Sequence, residues 1–238
     1  MRMQLLASVL LLAACGSGRA QTSQTSGAEE TRAFPVTAFD SVGLGGCHDV
    51  MVTVGPAPSV RAVGGAHALD RLKVEVKGGA LEIGSKEHFV SCRGNRDKVT
   101  VYVTTPRLSG AAIGGSGNMQ IDKAEGESFD ASIGGSGSIR IGALRVQHAE
   151  FAIGGSGNIE AAGSAGEASF AIGGSGSIDA SGLMSRNASI SIAGSGSADT
   201  RVSDQADISI AGSGNATIKG TRNCKVSRIG SGKARCTA

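Results

Sequence analysis

Cys47-His48-Asp49 sets a nucleophile, a base and an orienting acid side by side. On an extended strand, successive side chains point to opposite faces, so these three cannot form a triad among themselves. Cys47 then reads as a disulfide cysteine with exposed neighbours. His48, His67, His88 and His148 fall at no metal-ligand spacing and most read as surface residues, so no metal ligand is assigned. The other candidate is Gly-Ser-Gly, which occurs seven times, with central serines Ser116, Ser136, Ser156, Ser175, Ser195, Ser213 and Ser231. Glycine-rich loops cradle phosphates with backbone N–H groups. Those loops feed a helix N-terminus, usually beside a Lys, whereas strand-like sequence flanks every copy here. The serines therefore read as turn residues, with Gly supplying φ > 0 and Ser bonding locally or to the next rung.

Four further chemistries find little support in the residues. A calcium-binding β-roll needs an Asp two residues after its last Gly, where this chain has Met119, Ile139, Ile159 and Ile178. A polysaccharide-cleaving site needs clustered acids and bases on neighbouring coils, but Arg140, Arg145, Arg186 and Arg201 are scattered, as are the acids. No catalytic residue and no cofactor is assigned. Sugar clefts usually expose aromatics; there is no Trp, one Tyr (Tyr102) and six Phe, of which Phe129, Phe151 and Phe170 fall at inward positions and read as core. Asn187-Ala188-Ser189 and Asn215-Ala216-Thr217 match glycosylation acceptors, but the leader described next is bacterial, which discounts them.

At the N-terminus, Arg2 precedes an apolar run over residues 5–12, too short to span a bilayer but of the length of a signal-peptide core. It ends in Leu12-Ala13-Ala14-Cys15, which resembles the bacterial lipobox and implies lipidation of Cys15 after removal of residues 1–14. The alternative is ordinary cleavage after Ala20. Gly16, rather than Asp, implies by resemblance to bacterial sorting rules an outer-membrane location. Residues 15–33 then form the lipidated Cys and a polar tether, whose eighteen flexible residues reach about 23 Å r.m.s.. Cys47, Cys92, Cys224 and Cys236 remain, an even number in an exported chain, compatible with three disulfide pairings.

The elements that must position these residues follow from a repeat. The serines are spaced by 20, 20, 19, 20, 18 and 18 residues. Three residues before each stand Ile113, Ile133, Ile153, Ile172, Ile192, Ile210 and then Arg228; five after stand Ile121, Ile141, Ala161, Ala180, Thr200, Ile218 and Cys236. Apolar residues at odd offsets alternate with polar ones at even offsets, the signature of strands with one buried face. One such unit cannot bury its apolar face alone, so units stack into a solenoid. The chain reads as all-β: a parallel β-helix of about 18 to 20 residues per coil over residues 109–238, preceded by an irregular β-rich part over residues 34–108. In that part Val50–Val54, Leu72–Val76, Leu81–Ile83 and Val99–Val103 read as strands without the repeat. Arg228 breaks the Ile column, and Ile229 beside it suggests a one-residue slip in the last coil.

Composition agrees with this. Glycine supplies 38 of 238 residues, more than twice the roughly 7% usual, which disfavours helix. A formal charge of +3 without a basic block argues against a nucleic-acid partner.

Phe39-Asp40-Ser41-Val42-Gly43, the run Asp49 to Gly55, Gly79 to Ile83, the run Val99 to Leu108 and the Gly-Ser-Gly series together resemble the bacterial auto-transporter adhesin, head GIN domain family. That resemblance implies a right-handed parallel β-helix similar to pectin lyase folds, no established catalytic site and a role in adhesion. The expected function is a non-enzymatic envelope lipoprotein, held to the membrane by its lipid, whose solenoid wall binds a cell-surface or envelope glycan or protein. The alternatives are a polysaccharide-processing enzyme of the same fold and a structural envelope or assembly protein.

Offsets also bear on the cysteines. Cys224 and Cys236 lie at odd positions, −7 and +5 from Ser231, so both point inward from the two strands of one terminal coil and are expected to pair. By elimination Cys47 is expected to pair with Cys92.

Overall fold

The computed structural model describes residues 29–86 and 98–238. The leader, Cys15, the tether up to residue 28, His88 and Cys92 lie outside the described residues. Before the repeat come β1 (Glu29–Phe34), β2 (Ser41–Leu44), β3 (Asp49–Val54), β4 (Ser59–Gly65), the short helix α1 (Ala66–Arg71), β5 (Leu72–Lys77), β6 (Ala80–Ser85) and β7 (Thr100–Thr105). The repeat forms β8 (Gly110–Ile113), β9 (Asn118–Ile133), β10 (Ser138–Ile153), β11 (Asn158–Gly174), β12 (Ser177–Gly194) and β13 (Ser197–Gly212). It ends in β14 (Asn215–Lys219), β15 (Cys224–Gly230) and β16 (Lys233–Thr237).

Each long strand from β9 to β13 bends around most of one coil, and the coils stack in parallel into a β-solenoid of about six turns. Register follows the repeat: Ile133 pairs with Ile153, Ile153 with Ile172 and Ile172 with Ile192. All six isoleucines of this column are no more than 2% exposed, each gaining about 1.5 to 3 kcal/mol from burial. Phe129, Phe151 and Phe170 are buried as expected, and the last two rings stack with centroids 5.4 Å apart. Differences in coil length are absorbed by register shifts at Ile141/Leu144, Glu160/Ala162 and Ala180/Met184, away from the Gly-Ser-Gly corner. The corner tolerates no such slip, because its backbone is packed directly on the corner of the adjacent coil.

The N-terminal part departs from the sequence reading in three ways. First, β2 and β3 already belong to the ladder, with Leu44 opposite Ile113 in the Ile column and Val50 opposite Met119. Gly45-Gly46-Cys47-His48 therefore occupies the corner, a copy of the repeat hidden by the replacement of its Ser and last Gly. Second, the layer beyond it is made by β6 and β7, which come later in the chain: Ile83 pairs with Leu44 and Val101 with Val50. After β1 the chain thus enters the second layer, builds the first, and returns to the third through β8. Third, Glu29–Ala33, assigned to the tether, are part of β1, an edge strand antiparallel to β4 that needs no apolar face of its own. β4 is antiparallel to β7 and β5 to β6, so the parallel stack ends here in antiparallel strands. These strands, with α1 between β4 and β5 and its Leu69 fully buried, cap that end of the solenoid and pair the edge of the parallel stack, leaving β1 and β5 as the outer edges.

At the other end the expected slip does not occur. Ile210 pairs with Arg228 and Ala211 with Ile229, which leaves Ile229 78% exposed. The backbone ladder from Ala206–Cys224 to Gly212–Gly230 outweighs what the burial of one Ile would return.

Candidate functional site

The seven corner serines form a column along one edge of the solenoid, all exposed. The backbone N–H groups of the first six bond the adjacent coil, as Ser136 does to Gly115 O at 3.0 Å and Ser156 to Gly135 O at 3.0 Å. The glycines serve a different need from the one inferred from sequence. Gly174, Gly194, Gly212 and Gly230 do have φ from +113° to +150°. Gly115, Gly135 and Gly155 do not, yet at all seven of these positions a Cβ would run into the carbonyl oxygen of the adjacent coil's corner. The glycines after the serines are equally closed, Gly137 against Gly117 O and Gly157 against Gly137 O. Close stacking of backbones, rather than φ alone, requires glycine here.

Cys47, His48 and Asp49 occupy the hidden corner, and the structure does not bring them together as a catalytic group. Cys47 is disulfide-bonded; its expected partner Cys92 lies outside the described residues. His48 is a correction: expected at the surface, it is 4% exposed, because it holds the place of the buried second glycine of the corner. Its Nδ1 has no hydrogen-bond partner among the described residues. Burial pushes its pKa below the usual imidazole value, Asp49 pulls it back up, and Lys98 lowers it further. Asp49 accepts from Asn118 Nδ2 at 2.8 Å and lies 3.4 Å from Lys98 Nζ.

A polar surface lies on the wall after the corner, built from β7, β3 and the first halves of β9 to β12. Its outward residues stand two and four positions after each corner serine, or after Cys47 in the hidden corner. They are the even offsets, which attention to the apolar columns passes over although they are as regular. Asp49, Asn118, Ser138, Asn158 and Ser177 form one line; Met51, Gln120, Arg140, Glu160 and Asp179 form the other. Together they line a shallow groove of 650 Å³ across five consecutive strands. At its capped end Tyr102, 36% exposed, is stacked under the Arg61 guanidinium at 4.0 Å. The carboxylates in the groove are committed to neighbours. Arg140 Nε donates to Glu160 at 2.7 Å, and Ser181 N donates to Asp179 at 3.0 Å. Hydrogen bonds from the Ser181 side chain and backbone hold the Asp179 pKa below its ordinary range. Among the described residues no three His, Cys, Asp or Glu form a metal-binding group.

Cys224 and Cys236 are joined by a disulfide with a Cα–Cα distance of 6.7 Å, bridging β15 and β16 across the last coil.

A parallel solenoid with closely stacked glycine corners, an antiparallel cap and long polar walls defines a β-solenoid protein. The chain belongs to the family described as "Putative auto-transporter adhesin, head GIN domain", whose profile matches residues 38–222. Among solved structures it is similar to a "putative adhesin" from Bacteroides fragilis NCTC 9343, with 20% identity over 88% of this chain and 97% of that one and a TM-score of 0.77. It is also similar to a "putative lipid binding protein" from Parabacteroides distasonis ATCC 8503, with 25% identity over 89% and 97% and a TM-score of 0.71. A "putative adhesin" from Parabacteroides merdae ATCC 43184 has 20% identity over 89% and 97% and a TM-score of 0.66. No curated protein matches the chain.

Proposed function

We propose that this protein is a non-enzymatic lipoprotein of the bacterial outer membrane, anchored through Cys15, that binds an extended polyhydroxylated polymer along its polar wall. The observation that carries the reading is the groove. Amide and hydroxyl side chains repeat there at the strand spacing of about 4.8 Å, an arrangement suited to a ligand that itself repeats. Membership of an adhesin-named family supports the same direction. Against the enzymatic alternative, a glycosidase needs one carboxyl that stays protonated beside a second that is free. In the groove Glu160 is paired with Arg140, Asp49 is held by Asn118 and Lys98, and Asp179 is kept ionised.

The test is glycan-array screening of the whole protein followed by calorimetry on the best polymer. Asn118→Ala with Asn158→Ala should weaken binding at least about tenfold, the loss of one to two hydrogen bonds, without lowering the melting temperature. Full retention of binding by the double variant would remove the groove from the proposal.

A further inference from the structure

At two adjacent positions the last coil inverts the polarity of the coils beneath it. Two residues before the corner serine, successive coils have Gly114, Gly134, Gly154, Gly173, Ala193 and Ala211, and then Ile229. One residue earlier, Arg228 replaces the isoleucine of the other six. Because register is unbroken, Ile229 projects into solvent at 78% exposure. Val226 is 46% exposed, since no further coil covers it among the described residues.

Charge separates along the same axis. Residues 109–207 contain eleven Asp and Glu against five Lys and Arg, whereas residues 208–238 contain six Lys and Arg and no Asp or Glu. Lys219, Arg222, Lys225, Arg228, Lys233 and Arg235 are all exposed. Of these, only Lys225 has a carboxylate within ion-pair range among the described residues, Asp207 at 3.9 Å. Spread over the sequence these cations form no run; stacking gathers them at one end of the solenoid.

Cations on an open edge strand discourage edge-to-edge pairing. That accounts for the charge and leaves the outward Ile229 unaccounted for. A coil combining cations with an outward isoleucine and an uncovered valine has the chemistry of an interfacial membrane contact: the cations meet lipid phosphates and the aliphatic groups enter the acyl boundary. A soluble polyanion would use the cations and gain nothing from Ile229 or Val226. A second copy of this end would be repelled. We propose that the C-terminal end of the solenoid docks on an anionic lipid bilayer. It lies about 48 Å from the capped end where β1 begins, ten strand spacings of about 4.8 Å along the wall. A chain also anchored through Cys15 would then bridge two membrane sites, although docking itself does not depend on that lipid.

The chain has no Trp, so Ile229→Trp in the full chain is a single reporter, whether or not the N-terminus is acylated. Mixed phosphatidylcholine and phosphatidylglycerol vesicles should shift its emission to the blue and protect it from acrylamide, while phosphatidylcholine alone should do neither. Combining Lys225→Gln, Arg228→Gln, Lys233→Gln and Arg235→Gln should weaken vesicle binding about a hundredfold or more. Salt should release the protein carrying only Ile229→Trp, which tests the charge dependence without further substitution. An unchanged Trp signal with anionic vesicles, binding insensitive to salt and to the glutamines, or protection by a soluble carboxylated polysaccharide in place of vesicles would overturn the proposal.

Discussion

At the scale of single residues, the corner glycines and serines have opposite roles that composition does not separate. A methyl group at Gly135 would meet the Gly115 carbonyl of the adjacent coil, and backbone cannot yield as a side chain can. Gly135→Ala should therefore cost about 2 to 3 kcal/mol by overpacking. The exposed Ser136→Ala should stay within about 0.5 kcal/mol. Chemical denaturation of the two variants checks the contrast, and equal costs would refute it. His48 gives a pH dependence of defined sign. Its folded-state pKa is depressed by burial, so the unfolded chain takes up its proton first. Stability is then full above the ordinary imidazole value near 6.5 and falls as pH drops through that value toward the lowered one. Melting temperatures between pH 8 and pH 5 should decline in the parent, and the His48→Gln variant should lose the part of the decline that begins near neutrality.

At the scale of elements, the two ends of the solenoid are finished by different means. The N-terminal end has antiparallel strands and a short helix, which pair the edge of the parallel stack. The C-terminal end has a disulfide between β15 and β16 and little buried apolar surface. Closing about 13 residues by a disulfide contributes roughly 3 kcal/mol on the loop-entropy model, in the one coil whose Ile column is broken. Cys224→Ser with Cys236→Ser should accelerate amide exchange in residues 224–237 while leaving β10 and β11 protected. Uniform exchange across the whole solenoid would instead mean that the terminal coil is not an independent unit. Non-reducing peptide maps of the same protein should show Cys47 joined to Cys92, the pairing left by elimination.

At the scale of the whole molecule, the proposed anchor and the proposed binding surfaces are separated. The described chain begins on the cap, the groove runs along one wall, and the cationic end lies farthest from β1. Cys15→Ser should move the protein from the membrane to the soluble fraction, and mass spectrometry should find an acylated Cys15 at the parent's N-terminus. Membrane partition unchanged by the substitution, with no acyl mass, would end the lipoprotein reading. Protease shaving of intact against lysed cells then decides which side of the outer membrane the solenoid occupies. Cleavage only after lysis would restrict its ligands to the periplasm.

The amino-acid sequence by itself determined the repeating coil, its inward columns and the pairing of Cys224 with Cys236, because alternation and period are local properties that stacking in register preserves. It also placed Phe129, Phe151 and Phe170 in the core. It did not reveal that Gly45-Gly46-Cys47-His48 is another corner, since two of its four residues differ and the intervening chain detours through the cap and the first layer. Nor did it reveal the burial of His48, which follows from that corner position, or the outward course of Ile229. The even-offset columns of the groove were as visible as the odd ones, but only the tertiary structure showed that they line a groove. The gathering of six dispersed cations at one end is likewise a property of the stack: residues two to five apart in sequence become neighbours only when the last coil folds them around a common axis.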